Sequence, residues 1–228
     1  MTATPLPTLV LFCRRPLPGI GKQRIAAATN PDLALALSEH LLATALEDVG
    51  AWRGPTVIAP ANPADADWMR QQAPPGAQVL PQSDGNLGDR LTAMDLALRA
   101  QGHEQLLFIG SDAPLLDFAY FARARHALEA ADIVLGPAED GGVTLMGGRV
   151  PWPTLTDLPW SSTELGAALD RRCRARGLRV QRLELRYDCD TIDVLPRLAR
   201  ELAGDPRAAR QALRDWLLGT GLPAIAAT

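Results

Sequence analysis

The chain alternates between short, wholly apolar runs and longer segments in which apolar residues recur every three or four positions. The first run is TLVLF at 8–12. Pro31-Asp32 then opens a segment carrying Leu37, Leu41, Leu42, Ala45, Leu46 and Val49. That spacing predicts a helix over 31–49 with one buried stripe. The same reading predicts strands at 56–59, 78–80, 105–109, 132–135 and 143–146, and helices at 63–72, 87–100 and 117–130. Leu91, Met94 and Leu98 form the stripe of the helix at 87–100. Near-continuous apolar strands separated by amphipathic helices indicate a parallel sheet covered on both faces. The expected fold class is α/β.

The last third is less regular. Ser161-x-x-Glu164 reads as a capping box opening a helix to about Arg174. A strand at 178–185 and a helix at 192–203 follow, the latter with Leu195, Leu198, Ala199 and Leu202 inward. Asp205-Pro206 reads as the N-cap and first residue of a final helix with the apolar stripe Ala209, Leu213, Trp216 and Leu217. The chain is therefore expected to hold a main domain at 1–204 and a helical extension at 205–228. The extension either docks on the same core or forms a dimer face, so the expected state is a monomer or a homodimer.

Composition narrows the function. The chain has 228 residues, 47% hydrophobic and 21% charged, which is ordinary for a globular fold. A net charge of −3 argues against a nucleic-acid partner but leaves room for a small anion on a local basic patch. Three cysteines, Cys13, Cys173 and Cys189, form no C-x-x-C pair, and an odd number argues for a reducing compartment. The first apolar run is short and precedes its basic residues, the wrong order for a signal peptide. No run approaches the ~20 apolar residues that span a bilayer. The expectation is a soluble, cytoplasmic protein. His40, His103 and His126 lack ligand spacing and read as surface residues, and Cys13 has no base nearby to activate it. Lys22 is the only lysine, among 22 arginines. An arginine-rich codon usage accounts for the bias, yet a compact ammonium is not interchangeable with a guanidinium.

Parallel sheets bind ligands at the carboxyl ends of their strands, which directs attention to the loops at 13–23, 81–89, 110–114 and 136–142. FCRRPLPGIGKQRI, at 12–25, follows the first strand. Its glycines permit backbone N–H groups to approach phosphate oxygens, and Arg14, Arg15, Lys22 and Arg24 supply charge. The segment is not a Walker A loop, and a solvated basic loop is the plain alternative. Asp112, in GSDAP at 110–114, stands at the tip of a strand, where it either binds a divalent cation or caps the next turn. Asp140-Gly141-Gly142 reads as a tight turn or a place of close ligand approach. In DCDTID at 188–193, Asp190 is either a helix cap or a second metal ligand. QSDGNLGDR, at 82–90, either contacts a base or ribose or is an ordinary strand-to-helix turn.

Taken together and in order, FCRRPLPGIGKQRI, QSDGNLGDR, IGSDAP, LGPAEDGGVTLMG, PWSST and DCDTIDVL resemble a bacterial glycosyltransferase family related to the nucleotide-diphospho-sugar transferases and linked to arsenosugar biosynthesis. The chain also looks like the phospholactate and molybdenum-cofactor guanylyltransferases. The resemblance covers about 8–202. It implies a Rossmann-like, three-layer α/β/α GT-A fold with a mostly parallel mixed sheet. It also implies a nucleotide or nucleotide-sugar donor, a small-molecule acceptor, and Mg²⁺ or Mn²⁺ as cofactor. Arg14, Gly19, Lys22 and Arg24 would then meet the nucleotide phosphates, and Gly88 the base or ribose. Asp112 and Asp190 would hold the metal. Asp112 and Asp140 would be the catalytic carboxylates, with Asp140, Gly141 and Trp160 on the acceptor side. Three positions depart from the family pattern: Arg14 replaces a lysine, Gln23 interrupts K-T-R, and Val143 replaces an aromatic beside the acceptor. The expected activity is glycosyl transfer. Nucleotidyl transfer with release of pyrophosphate and nucleotide binding without catalysis are the alternatives.

Overall fold

Alternate residues of the first strand, β1 (Thr8–Cys13), enter two separate cores. Leu9, Leu11 and Cys13 face one side of the sheet, and Val10 and the half-buried Phe12 face the other, following the two-residue period of a strand. The computed structural model describes residues 5–222. The N-terminal residues 1–4 and the end of the expected extension, 223–228, lie outside the described residues.

The remaining strands are β2 (Thr56–Pro60), β3 (Gln78–Val79), β4 (Leu106–Gly110), β5 (Ile133–Pro137), β6 (Val143–Gly148) and β7 (Val180–Arg182). They join β1 in one sheet of order β3-β2-β1-β4-β6-β5-β7. Only β6 runs antiparallel, to both β4 and β5. Helices α2 (Pro31–Ala51), α3 (Ala66–Gln72) and α5 (Phe118–Ala130) cover one face through Leu42, Val49, Met69, Tyr120 and Phe121. Helices α4 (Leu87–Ala100) and α6 (Leu165–Ala175) cover the other through Leu91, Leu98, Leu165 and Leu169. The result is the three-layer, mostly parallel mixed α/β/α architecture expected from the sequence.

A third core lies on a second side of α2. There Leu37 and Leu41 meet Ile25 from α1 (Gln23–Ala28), Leu198 from α7 (Leu195–Glu201), and Leu213 and Leu217 from α8 (Ala208–Gly219). Arg210 fastens α8 in place. Its side chain is fully buried, and its guanidinium donates to Asp48 Oδ2 at 2.6 Å, Glu47 Oε2 at 2.9 Å, and the carbonyls of Thr44, Pro114 and Leu116. The last two carbonyls belong to the loop that follows β4.

Several local expectations are corrected. The capping box at Ser161–Glu164 does not form. Glu164 is the N-cap and its side chain makes no cap bond. The segment before α6 is instead drawn against the β5–β6 turn, where Gly166 N donates to Gly141 O at 2.8 Å. The final helix starts at Ala208, because the Asp205 carboxylate accepts from Arg207 N and pairs with the Arg207 guanidinium. The strand expected at 178–185 pairs only over Val180–Arg182. A short helix, α1, begins directly after Lys22, within the segment expected to be a loop; six residues are too few to show a period. His40 and His103 are half-buried. The His40 ring lies 5.0 Å from that of Trp216, and His103 Nδ1 is 2.7 Å from Thr8 Oγ1. None of the described helices is long and apolar enough to cross a membrane.

Candidate active site

The carboxyl ends of β1, β4 and β5 open into a cleft of about 500 Å³. Its floor is organised by the loop after β1. Gly19 and Gly21, both at φ 75°, turn the chain, and Gln23 Nε2 donates to Gly19 O at 2.7 Å. Lys22 follows in the left-handed region at φ 48°. Among the described residues, Lys22 and Ser161 (φ 62°) are the non-glycine residues at positive φ, and both line the cleft. Such strain is held only where surrounding contacts fix it.

For Lys22 the contacts are explicit. Its side chain is 5% exposed, and Nζ lies 2.8 Å from Asp190 Oδ1 and 3.0 Å from Asp112 Oδ1. Asp112 stands just beyond β4, and Asp190 on the segment between β7 and α7. Cys189 N donates to Asp112 O at 2.9 Å, which holds the two loops together and brings the carboxylates to one point. Burial alone would lower the Lys22 pKa, but Asp112 and Asp190 outweigh it and the net shift is upward. The ammonium is therefore charged at neutral pH.

Two further carboxylates stand beside this pair. Asp140, at the β5–β6 turn, accepts from Gly142 N at 2.8 Å. Asp188 is pushed up to about 6, first by burial and then by the charges of Asp190 and Asp140. Trp160, Ser161 and Ser162 complete this wall.

Arginines line the same cleft. Arg90, from α4, donates to Gln82 Oε1 at 3.0 Å, while Gln82 Nε2 donates to Ala59 O at 2.6 Å, so a buried glutamine braces the guanidinium. The Arg90 pKa is lowered, first by burial and then by Arg14. Arg14, Arg24 and Arg90 all line the cleft, and none of them pairs with a carboxylate among the described residues. The cleft thus holds both unpaired guanidiniums and carboxylates, two of the carboxylates gathered on one ammonium.

Of the residues singled out from the sequence, Arg14, Lys22, Arg24, Asp112, Asp140, Trp160 and Asp190 come together here. Gly19, Gly88 and Gly141 do not reach the cleft wall. A Cβ on Gly88 would stand 2.3 Å from Leu155 O and 2.6 Å from Trp160 Nε1, and one on Gly141 would stand 2.0 Å from Thr163 O. Both glycines let backbone segments close on one another. The 82–90 segment carries a reciprocal cap, Asn86 with Asp89, that starts α4. Sequence reasoning gave Arg90, Gln82 and Asp188 no role of their own and marked Ser161 only as a helix cap. Arg90 and Asp188 stood inside recognised motifs, whereas nothing in the sequence marks Ser161 as strained.

Among the described residues, no group of three or more His, Cys, Asp or Glu side chains is assembled to hold a metal. What the cleft offers is two carboxylate oxygens already converged on one cation, the Lys22 ammonium. Mg²⁺ and Mn²⁺ bound with phosphates often take only one or two carboxylates, the other positions going to phosphate oxygens and water. The donor set fits that use. A second, more apolar cavity at the amino edge, lined by Leu6, Trp52, Phe118 and Arg125, holds no carboxylate.

Residues 26–162 match the model of a family described as an uncharacterized protein conserved in bacteria, DUF2064. The chain belongs to this family. The match takes in Asp112, Asp140, Arg90 and Trp160 and stops short of Asp190. No curated protein matches the DUF2064 chain. Among solved structures it resembles a protein from Desulfovibrio desulfuricans G20 assigned as a nucleotide-diphospho-sugar transferase. The TM-score is 0.81 at 22% identity, over 93% of this chain and 97% of that one. It resembles more distantly a cytidylyltransferase from Leptospira borgpetersenii (TM-score 0.54, 12% identity, 94% and 95% covered). A CMP:2-keto-3-deoxy-manno-octonic acid synthetase solved with CTP gives a TM-score of 0.50 at 12% identity, with 87% and 99% covered. At these identities the likeness establishes the fold, which DUF2064 shares with transferases that use nucleotides.

Proposed function

We propose that the protein is a metal-dependent glycosyltransferase that moves a sugar from a nucleotide-diphospho-sugar to the hydroxyl of a small acceptor. The observation that carries this reading is a single cleft lined by unpaired guanidiniums and by clustered carboxylates. Arg14, Arg24 and Arg90 offer unpaired charge to a diphosphate. The carboxylates of Asp140 and Asp188 in the same cleft disfavour a phosphorylated acceptor and suit a neutral hydroxyl. Asp112 and Asp190 would hold Mg²⁺ or Mn²⁺, which would supply charge stabilisation to the leaving diphosphate. Asp140 takes the proton of the attacking hydroxyl as its oxygen bonds to the anomeric carbon. The bond from that carbon to the phosphate oxygen breaks, and the nucleoside diphosphate departs. The donor-side cations stabilise the charge that develops on it. The fold shared with nucleotide-using transferases agrees with this reading.

One observation favours nucleotidyl transfer instead: the unpaired guanidiniums of Arg14, Arg24 and Arg90 also suit a triphosphate. Incubation with Mn²⁺, nucleotide-sugars or nucleoside triphosphates, and an acceptor panel separates the two. Release of free nucleoside diphosphate with a glycosylated acceptor is expected. Pyrophosphate release in its place would overturn glycosyl transfer. Asp112→Asn is expected to lower nucleotide-dependent Mn²⁺ affinity by about a hundredfold, and normal Mn²⁺ binding by that variant would overturn the metal assignment.

A further inference from the structure

We propose that Lys22 is a built-in cation occupying the divalent-ion position between Asp112 and Asp190, so that the ion enters only as the ammonium leaves. The inference rests on the metal assignment above. Nζ contacts one oxygen of each carboxylate, at 2.8 and 3.0 Å, and a divalent ion bridging the same oxygens would need the same space. The site is also the wrong place for two unscreened positive charges, since like charges a few Å apart in a partly buried cleft repel strongly.

Among the described residues, the partners of the Lys22 ammonium are the two carboxylates themselves. Gly19 and Gly21 precede it at positive φ, and the space beside each is open to 4 Å. The backbone of Lys22 stays anchored as the N-cap of α1, its carbonyl accepting from Ala26 N at 2.9 Å, so what leaves is the long, flexible side chain. A nucleotide diphosphate entering under Arg14, Arg24 and Arg90 offers the displaced ammonium a new partner. Without the phosphates, displacement strands a buried cation. With them it does not. Ion and nucleotide therefore bind interdependently, and the empty enzyme holds little metal.

The test is Mn²⁺ alone, titrated into the full chain and read by the electron paramagnetic resonance of free Mn²⁺. Wild type is expected to bind weakly. Lys22→Met is expected to bind at least about tenfold more tightly, and the double variant Lys22→Met/Asp112→Asn to return to weak binding. Equal or weaker binding by Lys22→Met would overturn the inference. If Asp112→Asn also leaves nucleotide-dependent Mn²⁺ binding unchanged, the metal assignment falls as well, so the two failures are distinguishable.

The wild-type protein gives an independent readout, because Lys22 is its only lysine. Trinitrobenzenesulfonate modification of Lys22, located by mass spectrometry, is expected to rise about tenfold when Mg²⁺ saturates the site. A rate unchanged by saturating Mg²⁺ would likewise overturn the inference.

Discussion

Replacing Arg210 by methionine keeps the stem of the side chain and removes the charge that joins α8 to α2. The guanidinium is fully buried and donates to Asp48, Glu47 and three carbonyls. Removing one partner of a buried ion pair costs about 3–5 kcal/mol, because the other charge stays buried. Asp48 keeps one contact, from Arg207 Nη1 at 3.0 Å, so the lower end, about 3 kcal/mol, is expected. For a chain of this size that is a fall in Tm of about 6–12 °C. The pH dependence has a definite sign. Burial, opposed by Arg210, holds the Asp48 pKa at about 6 in the folded protein. Without Arg210 it rises further. A folded-state pKa above the unfolded one gives stability that is present at low pH and lost as pH rises through the folded value. The deficit of Arg210→Met is therefore expected to grow from about pH 5 to about pH 8. Urea denaturation at both pH values measures it. Replacing Asp48 by leucine in the same variant is expected to restore at least half of the loss. A deficit under about 1 kcal/mol, or one that shrinks as pH rises, would refute the reasoning.

Gly141→Ala is expected to cost more than about 2 kcal/mol, whereas Gly76→Ala, at a similar φ but with open space around it, costs about 1. Equal urea midpoints for the two would show that close packing against Thr163 is not what Gly141 provides. Arg90→Ala is expected to weaken nucleotide binding about tenfold in calorimetry with little change in stability, and an unchanged affinity would remove Arg90 from the donor wall. Burial pushes the thiols of Cys13 and Cys173 up to about 12, and that of Cys189 upward too. A thiol reagent at neutral pH is therefore expected to react with none of the three until the protein unfolds, and rapid reaction of one native thiol would contradict their burial.

The strands and long helices were legible because their apolar positions repeat over many residues. β1, α2 and α4 were placed to within a residue or two. The antiparallel direction of β6 was not, since a run of apolar residues carries no sign of its sense. Local chemistry misled where a tertiary contact took over the donors. Ser161-x-x-Glu164 has the letters of a capping box, yet the β5–β6 turn claims that segment. The cleft was largely legible as a set of motifs. Arg14, Lys22, Asp112, Asp140 and Asp190 were each singled out, and all five line one cleft. Their pairing was hidden. Nothing in the spacing of 22, 112 and 190 says that one ammonium would sit on two carboxylates.

That pairing also ties the first loop of the chain to its last third. Lys22 and Asp190 are 168 positions apart, so their contact closes one of the longest loops in the chain. Closing such a loop costs entropy before the contact rewards it. During synthesis from the N-terminus, Lys22 and Asp112 emerge well before Asp190. The ammonium meets both of its carboxylates only once the last third of the sequence has docked, so the three-way contact marks a completed fold.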